Sequence, residues 1–311
     1  MRLVGCSHGI DLFAPEDSYF SYFNSPYIGH RRFSAIDIYS AHNRWEESFV
    51  SPVSGKVTKI RKLTMGRKRE FPTSDHDYAI GIQPDGHEDI VRILHCKPNI
   101  DIGEYVEQGE HLGFAIRSRY FNFWTGPHIH VEVQKRLDFI RSSQSYPLEI
   151  PSVQLDRIRG ELRWPITCEV VEVSKDNIKL VSYQGDICTG SGLIGHCVES
   201  ENAFGIIDIG FPHYKQGAMI FPSSEGICNS FRLWSILISS GSHSMKFANV
   251  FSTKQNIRFR LDEDLIRGLS FYVFSKHQEI NGRPPIIVIP EDYGAMVDSY
   301  KKGDIVSLSF S

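Results

Sequence analysis

The chain leaves almost no room for a long helix. Its apolar residues fall in short β-branched and aromatic runs cut by Gly, Pro, Asp and Asn, and no long stretch keeps a 3.6-residue apolar period. In the first half, Ala35–Ile38, Gly55–Ile60, Tyr78–Ile82, Asp89–His95 and Ile129–Val133 have the length and composition of strands. Pro84-Asp85-Gly86 marks a hairpin between two of them, because Gly tolerates positive φ. Short strands return after Trp164, at Glu169–Val173, Ile178–Val181, Phe204–Ile209, Phe231–Ile238, Leu269–Phe274, Ile286–Ile289 and Ile305–Phe310. The expected fold class is therefore mainly β, an N-terminal barrel or sandwich followed by a second all-β domain.

A length of 311 residues is enough for two domains at roughly 150 residues each. Residues 1–27 read as an irregular, aromatic lead-in and 28–135 as the first β domain. Residues 136–163 read as a linker with a short helix expected near Leu137 to Arg141, and 164–311 as the second β domain of unassigned role. The formal charge is 34 − 37 = −3, which speaks against a chain built to grip nucleic acid. A hydrophobic fraction of 41% speaks against disorder. No run approaches the ~20 apolar residues of a membrane span. Leu3-Val4-Gly5-Cys6 resembles a lipidation box but lacks a preceding apolar segment, so a cytoplasmic location is the default expectation. Six cysteines without a C-x-x-C pair suit packed thiols.

The strongest local signal is Gly126-Pro127-His128-Ile129-His130-Val131-Glu132-Val133. On a strand, His128, His130 and Glu132 share one face, while Ile129, Val131 and Val133 share the other. Two imidazoles so placed lean over one site, although an exposed pair of strand histidines has the same spacing. Asp37 lies between Ile36 and Ile38, and a carboxylate flanked by apolar residues needs a partner, for which a metal serves well. His30 stands seven positions earlier, and the Asp89–His95 strand ends in another imidazole. Two imidazoles and one carboxylate, with a fourth position left to water, form a catalytic rather than a structural zinc set.

Five segments then occur in a recognisable order: His30…Asp37, Ser51-Pro52-Val53-Ser54-Gly55-Lys56-Val57, Ile93-Leu94-His95, Val106-Glu107-Gln108-Gly109-Glu110-His111-Leu112-Gly113 and Gly126-Pro127-His128-Ile129-His130. In this order they resemble the lysostaphin-type zinc endopeptidases, whose domain is a duplicated-hybrid-motif β-barrel. The resemblance covers about residues 28–135 and nothing beyond. It implies that His30, Asp37 and His130 hold one zinc ion per chain. It also implies that His95 and His128 stay unligated and handle the scissile carbonyl and its protons. The implied activity is hydrolysis of peptide bonds, of the cell-wall type, by a metal-activated water.

One departure stands out. The family places its first His four positions before the Asp, where this chain has Phe33, so six residues separate His30 from Asp37 and Arg31-Arg32 must turn outward. His42 remains an alternative ligand. His8-Gly9-Ile10-Asp11 has the family spacing but lies too far upstream of Ser51-Pro52. The altered spacing and the missing leader motivate a second reading, a non-catalytic module that keeps the barrel and the metal while the C-terminal domain recognises a partner.

Other motifs fall short of their contexts. Gly190-Ser191-Gly192-Leu193-Ile194-Gly195 satisfies G-x-G-x-x-G but reads as a glycine-rich β-turn, since no helix pattern follows. His87-Glu88-Asp89-Ile90-Val91 lacks the second His of the helical zinc motif. Biotin- and lipoyl-carrier domains share the Ser51–Val57 pattern, but this chain has no lysine hairpin tip of their kind. The basic stretch Lys59 to Arg69 reads as a solvated hairpin.

Overall fold

The computed structural model describes residues 1–42, 44–136, 139, 141–224, 228–253 and 256–311. It is mainly β and divides into two units, Met1–Tyr22 with Tyr27–Pro151, and Phe23–Pro26 with Ser152–Ser311. Among the described residues no helix is long and apolar enough to cross a membrane.

In the first unit, seven antiparallel strands lie in the order Tyr105–Val106, Gly55–Thr64, His76–Gln83, Ile90–Leu94, His128–Gln134, Ala35–Tyr39 and Tyr19–Ser21. A smaller sheet joins Ser48–Val50, His111–Ala115 and Cys96–Pro98. The strand His128–Gln134 is central and every residue of it is buried, so both of its faces are covered. The Gly55–Thr64/His76–Gln83 hairpin carries the basic stretch, with Arg61, Lys62, Arg67 and Lys68 exposed. Pro84-Asp85-Gly86 closes the next hairpin, with Gly86 at φ +75°.

Residues 1–27, expected to be irregular, carry three strands up to Ser21. Arg2–Ser7 and Ile10–Ala14 form a hairpin, and Tyr19–Ser21 pairs along Ala35–Tyr39, stacking Tyr19 on Tyr39. Turn-forming serines disguise this edge strand in the sequence, but Ser18 and Ser21 are buried with the aromatic rings that surround them. The expected helix near Leu137 to Arg141 falls largely outside the described residues, and the 3-10 turn Ser142–Gln144 follows it. The expected linker also carries a strand, Asp156–Ile158, paired to Ile187–Gly190.

The second unit contains a closed ring. Ile166–Val173 pairs Ile178–Val181, which pairs Ile286–Pro290, then Asp264–Phe271, Phe259–Leu261, Ile305–Phe310 and back to Ile166–Val173. Closure leaves these strands no free edge. Gly268 sits at a register shift with φ +155°, where an added Cβ would meet Phe211 O at 2.4 Å. The run Phe231–Ile238 is two strands rather than one, because Trp234 and Ser235 adopt left-handed backbone (φ +50° and +68°) and turn the chain between Ser230–Leu233 and Ile236–Ser240. The glycine-rich motif at 190–195 is the hairpin between Ile187–Gly190 and Leu193–Glu199.

His196 in this unit packs edge-on against Trp234 and Phe271, with Nε2 3.2 Å from Pro285 O. Burial, reinforced by the Arg283 charge, pushes its pKa down to about 3. The unfolded chain therefore takes up a proton first, so this contribution to stability is present above the ordinary histidine pKa of about 6.5 and is lost as pH falls toward 3. Between pH 6.5 and 4 the loss is roughly 3 kcal/mol. A His196→Phe variant should show a correspondingly shallower fall in urea-derived stability between those pH values; an unchanged slope would contradict this assignment.

Candidate metal centre

Strand register builds most of the site. His128–Gln134 pairs with Ala35–Tyr39 so that His130 is opposite Asp37 and Glu132 opposite Ala35. Directly opposed residues of antiparallel strands point to the same face, so Asp37, His130 and Glu132 share one surface of the sheet, with His128 one step along. His30 arrives from the short helix Ile28–Arg31. That helix lies close to the sheet because Gly29 has no side chain; a Cβ there would meet Glu132 Oε1 at 2.4 Å and Ala35 Cβ at 2.9 Å. Phe33 then takes left-handed backbone (φ +57°) and turns the chain into the strand, leaving Arg31 and Arg32 exposed. The longer interval from His30 to Asp37 is absorbed by one helical turn.

Three ligand atoms converge: His30 Nε2, Asp37 Oδ1 and His130 Nδ1. His130 Nδ1 lies 2.7 Å from Asp37 Oδ1 and 3.2 Å from His30 Nε2, and His30 Nε2 lies 3.1 Å from Asp37 Oδ1. The far nitrogen of each ring is engaged outward, His30 Nδ1 at 2.8 Å from Tyr22 O and His130 Nε2 at 2.9 Å from Glu132 Oε1. Since only acceptors stand at those outer positions, the ring N–H groups point there in the neutral imidazoles. Three lone-pair atoms then face one another in a buried space. Only a shared proton or a cation relieves that arrangement, and outward N–H groups held by a carbonyl or carboxylate are how metal-bound imidazoles are oriented. Two edges are slightly shorter than the ~3.3–3.5 Å between ligands of a tetrahedral ion with bonds of about 2.0–2.1 Å, and the 2.7 Å edge between His130 and Asp37 must open by about 0.6 Å to reach it. The donor set therefore fits a small divalent metal, and His30, Asp37 and His130 are able to hold one.

The charges follow. Burial alone would raise the Asp37 pKa, but the His30 and His128 charges and the bond from His130 hold it well below the usual carboxylate range. Burial alone would lower the His130 pKa, yet its bonds to Asp37 and Glu132 push it up to about 9. Glu132 is held down to about 2: against its burial, it accepts from His130, from Arg92 Nη2 at 2.5 Å and from Ser145 at 2.8 Å.

The two remaining histidines stand beside the donors. His128 donates Nδ1–H to Gly126 O at 2.9 Å, and its Nε2 is 3.6 Å from Asp37 Oδ2. Burial pushes its pKa down to about 4. His95 follows the strand Ile90–Leu94, whose Leu94 is opposite His130 and whose Ile93 is opposite Val131. Simple alternation would send His95 to the Ile93 face, away from the site. Left-handed backbone at His95 (φ +69°) breaks the alternation and brings its ring within 5.2 Å of His128 and 6.1 Å of His130, centroid to centroid.

All five residues named from the sequence are thus together. His42 is exposed and pairs with Glu47 at 3.8 Å, and His8 pairs with Asp89 at 2.6 Å; neither reaches the cluster. Sequence reasoning missed Asp77, which bonds His95 Nδ1 at 2.7 Å, because a lone Asp at a strand start carries no distinctive spacing. It also missed Phe121, whose ring centroid lies 4.5 Å from His95 and 5.2 Å from His128. None of these five residues is more than 5% exposed.

Residues 12–150 match a family model described as "Domain of unknown function (DUF8155) N-terminal domain". No curated protein matches. Among solved structures, the chain is similar to the catalytic domain of the antimicrobial peptidase lysostaphin from Staphylococcus simulans, crystallized in the absence of phosphate. The match has 16% identity and a TM-score of 0.27, and covers 41% of this chain and 83% of that one. It is also similar to the antimicrobial peptidase lysostaphin from Staphylococcus simulans (12% identity, TM-score 0.28, covering 60% of this chain and 85% of that one). The NMR solution structure of lysostaphin matches at 11% identity and a TM-score of 0.29, covering 80% and 99%. At these values no residue role passes from those proteins to this one.

Gly29→Ala tests the site without touching a donor. The added methyl must push the helix and His30 away from Glu132, and divalent-cation affinity measured by calorimetry should fall about 10- to 100-fold. Unchanged affinity would contradict the placement of His30.

Proposed function

We propose that the N-terminal unit is a zinc-dependent endopeptidase acting on peptides, by resemblance those of cell walls. The observation that carries the reading is the cluster of three inward lone-pair atoms with two further imidazoles at its edge. When bound, zinc would supply a Lewis acid and a water of pKa about 7. His30, Asp37 and His130 would hold it, and Glu132, fixed by Arg92, would orient His130. His95, with Nδ1–H given to Asp77, keeps Nε2 for a proton that can be offered to a carbonyl oxygen or a departing amine. His128, with Nδ1–H given to Gly126 O, keeps an unprotonated Nε2 on the other side. Among the described residues the donor cluster draws only on the first unit, and partner recognition is the role proposed for the second. The near-neutral charge supports no role for nucleic acid.

A second reading, a metal-binding module without turnover, is favoured by one observation. The site is closed, with Phe121 fully buried against His95 and His128 and Tyr120 beside it. A peptide reaches the donors only if this segment moves.

Elemental analysis and a peptide library read by mass spectrometry separate the two. The enzyme reading expects one zinc per chain, cleaved peptides, loss of both in His130→Ala, and loss of cleavage by about 10²-fold or more with zinc retained in His128→Ala. Stoichiometric zinc with no peptide cleaved would leave the second reading standing. Phe121→Ala tests the closure itself: metal transfer to a chromogenic chelator should become several-fold faster, and an unchanged rate would show that this ring does not cover the site.

A further inference from the structure

Asp77 is a carboxylate without a structural excuse. It is 2% exposed, and its partners are the Tyr78 backbone N–H on Oδ1 at 2.7 Å, with the Ser118 hydroxyl and His95 Nδ1–H on Oδ2 at 2.7 Å each. No lysine or arginine is among them, so His95 is the one group in contact that can carry a compensating charge. A buried carboxylate without a fixed cation is costly, and packing alone is better served by a neutral residue. The position demands acceptors on both oxygens, which an amide cannot supply. His95 itself sits on left-handed backbone, uncommon for a residue with a side chain, and something must hold it there. Its carbonyl accepts from Ile116 N–H at 3.2 Å, its ring packs on Phe121, and its Nδ1 is tied to Asp77.

We propose that Asp77 is the positioning residue of the site, fixing His95 in the Nδ1–H tautomer so that Nε2 is turned toward the space beside His128 and His130. The two edge imidazoles then differ in kind. His95 is backed by a carboxylate, and a proton on its Nε2 is supported by a charge behind the ring. His128 is backed by the neutral Gly126 carbonyl instead of a carboxylate. This inference rests on the hydrolytic reading of the cluster for its purpose, though not for its geometry.

The geometry is tested without any substrate. In the zinc-loaded, full-length chain with 15N-labelled histidine, long-range 1H–15N spectra above the titration range should show His95, assigned with a His95→Asn variant, as the Nδ1–H tautomer. Asp77→Asn should shift His95 toward Nε2–H, since its amide nitrogen would face the ring. An Nε2–H tautomer in the wild type, or an unchanged tautomer in Asp77→Asn, overturns the proposal. The wild-type spectrum decides the point even if the variant fails to fold. Kinetics on a cleaved peptide test the purpose. Asp77→Asn should lower kcat by roughly 10²- to 10⁴-fold with zinc content unchanged. Combined with His95→Ala it should cost no more than His95→Ala alone, because one residue acts through the other. Multiplying losses would mean that Asp77 acts on the fold, not through His95. Absence of hydrolysis by the wild type alongside the expected tautomer would count against the hydrolytic reading alone.

Discussion

Three acceptors pressed together without a proton donor between them form the constraint on which this molecule turns. His30 and His130 have each committed an N–H outward, to Tyr22 O and to Glu132, so what remains inside is two lone pairs and the Asp37 carboxylate. Left to protons, the cluster must turn one imidazole into a cation, which is why His130 sits at about 9 and Asp37 far below its usual value. A divalent ion answers the same need with directional bonds. Metal binding and folding are then coupled, since the donors converge only when the sheet is formed.

The surroundings serve that convergence more than they serve stability. Arg92 and Glu132 make a fully buried ion pair, an arrangement that seldom gains over apolar packing. Here it locks Glu132, and through Glu132 the ring of His130. Asp77 stands in the same relation to His95. Glu132 comes from the same strand as the His130 it holds, and Asp77 from the strand paired to Ile90–Leu94, which leads into His95. Gly29 completes the scaffold from the other side by letting a helical turn lie against Glu132.

How far the sequence discloses this depends on whether regular geometry carries the residue. His128, His130 and Glu132 are legible from alternation, and Asp37 from its apolar neighbours, because both sit inside strands where period two holds. His95 is legible only through the resemblance. Its strand alternation points to the wrong face, and a single left-handed residue corrects it. His30 escapes spacing rules because a turn of helix and the left-handed Phe33 lie between it and Asp37. Asp77 and Phe121 leave no pattern at all, since their contacts come from tertiary approach. The mainly β character follows from composition. The hairpin at Arg2–Ala14 and the split at Trp234-Ser235 do not, because serine and aromatic residues there take buried or left-handed places that propensity does not signal.

X-ray absorption at the zinc edge of the loaded full-length chain interrogates the donor set directly. A donor set of His30, Asp37 and His130 gives a first shell of nitrogen and oxygen only, at about 2.0–2.1 Å, with the outer-shell scattering of two imidazoles. A sulfur shell at about 2.3 Å, a single imidazole, or a chain that retains no zinc after dialysis at neutral pH would contradict it.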